Sequence, residues 1–148
     1  MKNIEFYNFK LSKRNNSGYP FSYLNILNNY QFYKSHEITM MVNGTWAGLC
    51  RLYYINEKTF ELADFFISEN FRGKKYKSIK YYQHLLDEVF KQAKLINKNC
   101  REITLAVEES NQPAIHIYLK NKFEFFENAS KQRFTYPKKK FIYMKLKI

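Results

Sequence analysis

The sequence predicts an α/β (α+β) protein built on a mixed, mostly antiparallel central sheet flanked by helices. Three observations carry that reading. Seven segments run or alternate apolar as strands do, against three with helical spacing. An Asn43-Gly44 pair stands between two of the strands and marks a tight hairpin. The longest helical segment lies between two strands, so a strand–helix–strand crossover interrupts an otherwise antiparallel order. A chain of 148 residues is the size of one domain, 1–148, and can bury one core.

Ile4 to Leu11 reads as the first strand, with Ile4 and Phe6 on one side. Lys13 to Pro20 carries Asn15-Asn16-Ser17-Gly18 and reads as a loop. Phe21 to Lys34 reads as a short helix, with Tyr23, Leu27 and Tyr30 at helical spacing. His36 to Val42 puts Ile38, Met40 and Val42 on one face of a strand. Thr45 to Tyr54 returns antiparallel after the Asn43-Gly44 turn. Asn56-Glu57-Lys58 turns the chain again, and Phe60 to Ser68 is the third strand of the meander. Arg72 to Lys77 is a basic loop.

Ser78 to Leu95 is the longest helix, because Ile79, Tyr82, Leu86, Val89, Phe90 and Ala93 make one apolar stripe. The run Ile103 to Val107 is largely apolar and predicts a strand, Glu102 to Val107, buried on both faces. Asn111 to Lys120 is a short helix, with Asn111 as N-cap and Pro113 in the first turn. Phe123 to Phe126 and Phe141 to Leu146 close the chain as strands.

Composition narrows the class. A 19% aromatic share is far above that of disordered chains. Two cysteines cannot build a disulfide framework or a four-thiolate metal site. No stretch approaches the roughly 20 apolar residues of a membrane span, and the N-terminal residues lack a secretory apolar run. A reduced, cytoplasmic protein with no membrane partner is the expectation. His36, His84 and His116 have no metal-ligand spacing, so no metal is expected. His36 is placed at a strand start, and His84 and His116 as exposed helix residues. Cys100, at a helix-to-strand turn, has no base near it in sequence, so no covalent intermediate is expected. The 25 Lys+Arg against 13 Asp+Glu leave a net charge of +12, which favours anionic partners. Nucleic acid is disfavoured among them, because the lysines are scattered and no RNA-binding signature occurs.

Two segments carry chemistry. Ile67 to Ser78 reads as strand, short basic turn and helix N-terminus, an arrangement whose free amides and dipole attract anions. Arg72, Lys74, Lys75, Lys77 and Lys80 add charge suited to several phosphates. Asn111 to Phe123 places Tyr118 on the same helix face as Ala114, between two strands. Together, Phe60 to Ser78 and Thr104 to Phe123 resemble the two signature segments of the GNAT superfamily of N-acetyltransferases. Arg72-Gly73-Lys74-Lys75-Tyr76-Lys77 occupies the family's Gln/Arg-x-x-Gly-x-Gly/Ala phosphate motif. Asn111, Ala114, Tyr118 and Phe123 meet its second pattern. The resemblance runs from about Glu37 to the C-terminus, with Gly48 and Tyr143 to Leu146 also fitting. Lys75 and Lys77 stand where the motif has glycines, and Lys122 replaces the glycine that usually precedes Phe123.

The resemblance implies a parallel pair of strands, Phe60–Ser68 and Glu102–Val107, splayed apart to admit acetyl-CoA. It implies cofactor contacts from the backbone of Phe65, Phe66 and Ile67, from Arg72, Gly73, Lys74, Lys75, Tyr76, Lys77 and Ser78, and from Asn111, Ala114 and Tyr118. Tyr118 would protonate the departing thiolate as general acid. Glu61, eleven residues before Arg72, would be the base, with Asp64 and Glu108 as competitors. The implied activity is transfer of an acetyl or other acyl group to an amine on a small molecule or protein. Homodimers are common in the family. Lysines in place of motif glycines leave a second reading open, a catalytically weak acyl-CoA-binding or regulatory module.

Overall fold

The computed structural model describes residues 3–11, 34–126 and 140–148. The loop expected over Lys13–Pro20 and the helix expected over Phe21–Lys34 lie outside those residues, apart from Lys34 itself. Asn43 and Gly44 both take positive φ, 50° and 78°, as the predicted hairpin turn requires. That turn joins β2 (His36–Val42) to β3 (Thr45–Asn56). β1 (Ile4–Lys10) adds antiparallel outside β2, and β4 (Thr59–Ile67) adds antiparallel on the other side of β3.

The remaining chain builds a hairpin and the second half of the sheet. A small hairpin, β5 (Lys75–Tyr76) and β6 (Ile79–Lys80), precedes α1 (Tyr81–Ile96). β7 (Glu102–Glu108), α2 (Gln112–Lys120), β8 (Glu124–Phe125) and β9 (Phe141–Lys147) follow. The sheet order is β1-β2-β3-β4-β7-β9-β8, with β4 and β7 parallel and every other pair antiparallel. The mixed, mostly antiparallel sheet is therefore as expected.

Three local expectations are corrected. The helix starts at Tyr81, not Ser78, because residues 75–80 pair as a hairpin. Lys77 and Ser78 form its two-residue turn, both at positive φ, 52° and 66°. Ile79, counted in the apolar stripe, is instead an exposed hairpin residue. The stripe that is buried runs Tyr81, Leu85, Leu86, Val89 and Ala93. Second, β7 alternates: Ile103, Leu105 and Val107 are buried while Thr104 and Ala106 are half-covered, so it is not sealed on both faces. Third, His84 is not a free surface residue, since its Nε2 lies 3.0 Å from the Tyr76 carbonyl and ties α1 to the hairpin.

The core lies between one face of the sheet and the two described helices. Ile38, Met40, Leu52, Phe60, Leu62, Ile103, Leu105 and Met144 meet the α1 stripe there, with Ile115, Tyr118 and Phe123 from the α2 region. Burying such side chains contributes about 1.5–3 kcal/mol each and sets the helix positions. Asn111 caps α2 as predicted, its Oδ1 accepting the Ala114 amide at 3.3 Å.

The C-terminal end of α2 is less comfortable. Lys122 sits at φ 75°, with Lys122 N–H donating to the Leu119 carbonyl and Phe123 N–H to that of Tyr118. This closing geometry favours glycine, which has no Cβ to strain. Lys122→Gly is expected to stabilise the protein by about 1 kcal/mol, since a non-glycine left-handed residue costs roughly that much. A urea titration reads this as a higher midpoint at unchanged slope, and an unchanged or lower midpoint would contradict it.

Candidate active site

β4 and β7 pair only over Thr59–Glu102, Phe60–Ile103 and Glu61–Thr104. Beyond Glu61 the two strands part, and a wedge opens between Leu62–Ile67 and Leu105–Glu108. β9 lines the far side of β7 through Glu108, and β3 lines the far side of β4 through Ile67. The wedge is thus the one place in the described sheet where two inner strands present unpaired edges. A buried strand edge without partners is costly, so such an opening suits a ligand that supplies hydrogen bonds.

A bulge aims the backbone into the wedge. Leu49 pairs with Phe66 and Arg51 with Ala63, so Cys50 alone faces both Asp64 and Phe65. Asp64 takes φ 54°, a left-handed conformation that marks the extra residue. Past it, the Ser68 amide donates to the Ala47 carbonyl at 2.7 Å, so alternation turns the backbone groups of Phe66 toward β3. Those of Phe65 and Ile67 then face the wedge. Of the three backbone positions expected to meet a ligand, Phe66 is therefore turned away. The Ile67 carbonyl is taken by Arg72, whose Nε donates to it at 2.7 Å. Arg72 also lies over the Phe66 ring, 4.9 Å from its centroid. It closes the end of β4. The Phe65 amide and carbonyl remain directed into the opening.

Tyr118 stands at this point of the wedge. Its ring packs against Phe65 at 6.5 Å and Phe123 at 5.6 Å between centroids. The side chain is largely buried, yet its hydroxyl forms no hydrogen bond with another described residue. Burial, and secondarily the neighbouring Cys50 thiol, raise its pKa above the ordinary phenol value. The group is held protonated and free to donate. Cys50 is itself fully buried, its thiol pushed far up by burial and donating weakly to the Ala63 and Arg51 carbonyls. Burial thus opposes formation of the thiolate, the nucleophilic form.

Glu61 is the last β4 residue paired with β7, at the apex of the wedge, and only 4% exposed. It lies across from Tyr53 on one side and Thr104 on the other. Asp64, the first competitor as base, accepts from Arg51 at 3.2 Å and from the Tyr53 hydroxyl at 3.1 Å. Glu108 is at the outer end of β7, opposite Phe141. The two competitors are thus engaged or remote from the apex.

The basic segment lies at the foot of α1. Lys74, Lys75, Lys77 and Lys80 are all exposed, and Lys80 caps α1 without a side-chain bond. Gly73 lies in the turn before β5 and Tyr76 in β5 itself, with the Tyr81 amide donating to the Lys74 carbonyl at 3.1 Å. A cavity of about 400 Å³ opens here, lined by Lys75, Ser78, Lys80, Gln83, Lys120 and Asn121 among others. Gln83 donates to the Asn121 side chain at 2.7 Å and so joins the start of α1 to the end of α2. Lys77 turns over the Tyr76 ring, 5.4 Å from its centroid, and is not among the lining residues. Lys120, which lines the cavity, carries no signal in the sequence, because nothing local links the end of one helix to the start of another. Asn111 and Ala114 serve the cap of α2. Among the described residues no group of three or more His, Cys, Asp or Glu side chains could hold a metal ion.

Residues 6–123 match the family model described as the acetyltransferase (GNAT) family. A GNAT family acetyltransferase from Elizabethkingia anophelis, solved with acetyl-CoA bound, superposes with a TM-score of 0.70 at 17% identity, covering 99% of both chains. An acetyltransferase from Streptococcus agalactiae gives 0.69 at 14% identity, covering 98% of each. The ribosomal-protein-S18-alanine N-acetyltransferase of Escherichia coli gives 0.65 at 15% identity, over 100% of this chain and 94% of that one. No curated protein sequence matches the chain.

Proposed function

The chain belongs to the GNAT family of acetyltransferases, and from that premise we propose that it is an N-acyltransferase moving the acetyl group of acetyl-CoA directly to an amine. The observation that carries the reading is the wedge between β4 and β7, with a protonated Tyr118 hydroxyl beside Phe65 that has no hydrogen-bond partner among the described residues. The Phe65 backbone pairs with the extended arm of the cofactor and polarises the thioester carbonyl. Glu61 at the apex removes the proton that keeps an ammonium from attacking. Tyr118 gives its proton to the departing thiolate. The lysine-lined cavity at the foot of α1 takes the phosphates, with Lys75, Lys80 and Lys120 as counter-charges. These lysines replace the contribution expected of Arg72. The protein works as a single domain in the cytoplasm. A net charge of +12 favours an anionic amine acceptor over a polycation.

Calorimetric titration with CoA tests the first half of this reading. Binding is expected at low ionic strength and should weaken as salt rises, because exposed lysine–phosphate attraction is screened over about 8–10 Å. Salt-independent affinity would remove the lysines from the phosphate site. Thiol release from acetyl-CoA across a panel of amines tests the second half. Binding without turnover on any amine would leave a regulatory acyl-CoA-binding module.

A further inference from the structure

We propose that Arg51 and Tyr53 act as a clamp on Asp64 that holds the β4 bulge open, and with it the Phe65 backbone in the wedge. This rests on the acyl-CoA reading only for its consequence in binding. Asp64 is a non-glycine residue at φ 54°, within a strand. Left-handed backbone of this kind persists only where surroundings over-determine it. Arg51 Nη1 lies 3.2 Å from Asp64 Oδ2, and the Tyr53 hydroxyl donates to the same oxygen at 3.1 Å. Arg51 is anchored in turn by Glu37, at 2.9 Å from Nη2 and 3.0 Å from Nε. Two strands therefore fix one β4 carboxylate, β3 directly and β2 through Arg51. Arg51, which flanks the bulge on β3, and Tyr53, two residues further along the same strand, are the two that hold it.

The consequence reaches the wedge. Because Asp64 takes up the extra position opposite Cys50, Phe65 turns its ring to Tyr118 and its amide toward β7. Without the bulge, every β4 residue beyond it would shift by one place and exchange faces. Asp64 thus acts through its conformation and its tether, as a positioning residue.

Two substitutions at one site separate the possibilities. Asp64→Gly and Asp64→Val both delete the carboxylate, but only glycine tolerates positive φ without a tether. Hydrogen exchange at the amides of Leu62–Ile67 is expected to stay near wild type in Asp64→Gly and to accelerate at least tenfold in Asp64→Val. Acetyl-CoA affinity, read by calorimetry, should stay within about threefold for glycine and fall at least tenfold for valine. Arg51→Met should weaken affinity at least fivefold in the native background and have little effect in the Asp64→Gly background. This cycle decides the question should the valine variant not fold. Equal loss in both Asp64 variants would overturn the clamp and assign the carboxylate a chemical role. Equal retention of protection and affinity would also overturn it. A wild-type protein that fails to bind acetyl-CoA would refute the acyltransferase reading, while the exchange rates still judge the clamp.

Discussion

Gly48→Ala is expected to destabilise the protein by at least about 2 kcal/mol and to damage the wedge with it. A Cβ at Gly48 would run into the Phe66 carbonyl oxygen and stand 3.1 Å from Ile67 Cδ1 and 3.3 Å from Ile67 Cα. The nearest of these is backbone, which no rotamer change can move. β3 and β4 must separate at the pairing of Gly48 with Ile67, beside the bulge and at the end closed by Arg72. Gly44→Ala makes the useful contrast. Nothing lies within 4 Å of its Cβ, and only the positive φ of 78° opposes the change. That variant should lose about 1 kcal/mol, through strain alone. Urea midpoints rank the two, and CoA affinity should fall only for Gly48→Ala. A Gly48→Ala protein as stable as wild type would show that the strands are not held at this spacing.

Much of this architecture was legible because its signals are local. Asn43-Gly44 names its own turn, Asn111 and Pro113 name a helix start, and alternation names the strands around them. The parallel pair and Tyr118 were legible through the family pattern rather than through any periodicity. The basic segment is not legible in this way. Lys77-Ser78 carries no turn signature, and Ile79 continues the spacing of the helix behind it. Only pairing of Lys75 with Lys80 and Tyr76 with Ile79 reveals the hairpin. Non-local partnerships were equally hidden. The tether of Asp64 by Arg51 spans 13 residues, and that of Arg51 by Glu37 spans 14. The hold of Arg72 on the Ile67 carbonyl was hidden likewise, because charge is visible in a sequence and a carbonyl at the end of a strand is not.

Tyr118→Phe is expected to lower kcat by about 10²–10⁴-fold while leaving CoA affinity nearly unchanged. The ring contacts with Phe65 and Phe123 need no hydroxyl, so packing survives the change. What is lost is one proton, held on a group that burial keeps neutral. The leaving thiolate has a conjugate acid near pKa 8.5, taking cysteine as the model thiol. Protonating it during departure is worth more for this leaving group than for a more acidic thiol. The deficit of Tyr118→Phe should therefore shrink with an acyl donor of lower thiol pKa, which a folding defect would not do. The pH dependence has a definite sign. A phenol raised above its ordinary value of about 10 stays protonated throughout the neutral and mildly alkaline range, so its ionisation imposes no fall in turnover below pH 10. The same shift bears on stability. Above about pH 10 the unfolded phenol loses its proton before the folded one does, so folding weakens as pH rises through that window. Tyr118→Phe should flatten this alkaline loss, measured by urea midpoints between pH 9 and pH 11. Unchanged turnover together with the flattened profile would make Tyr118 a core residue whose hydroxyl does no chemistry.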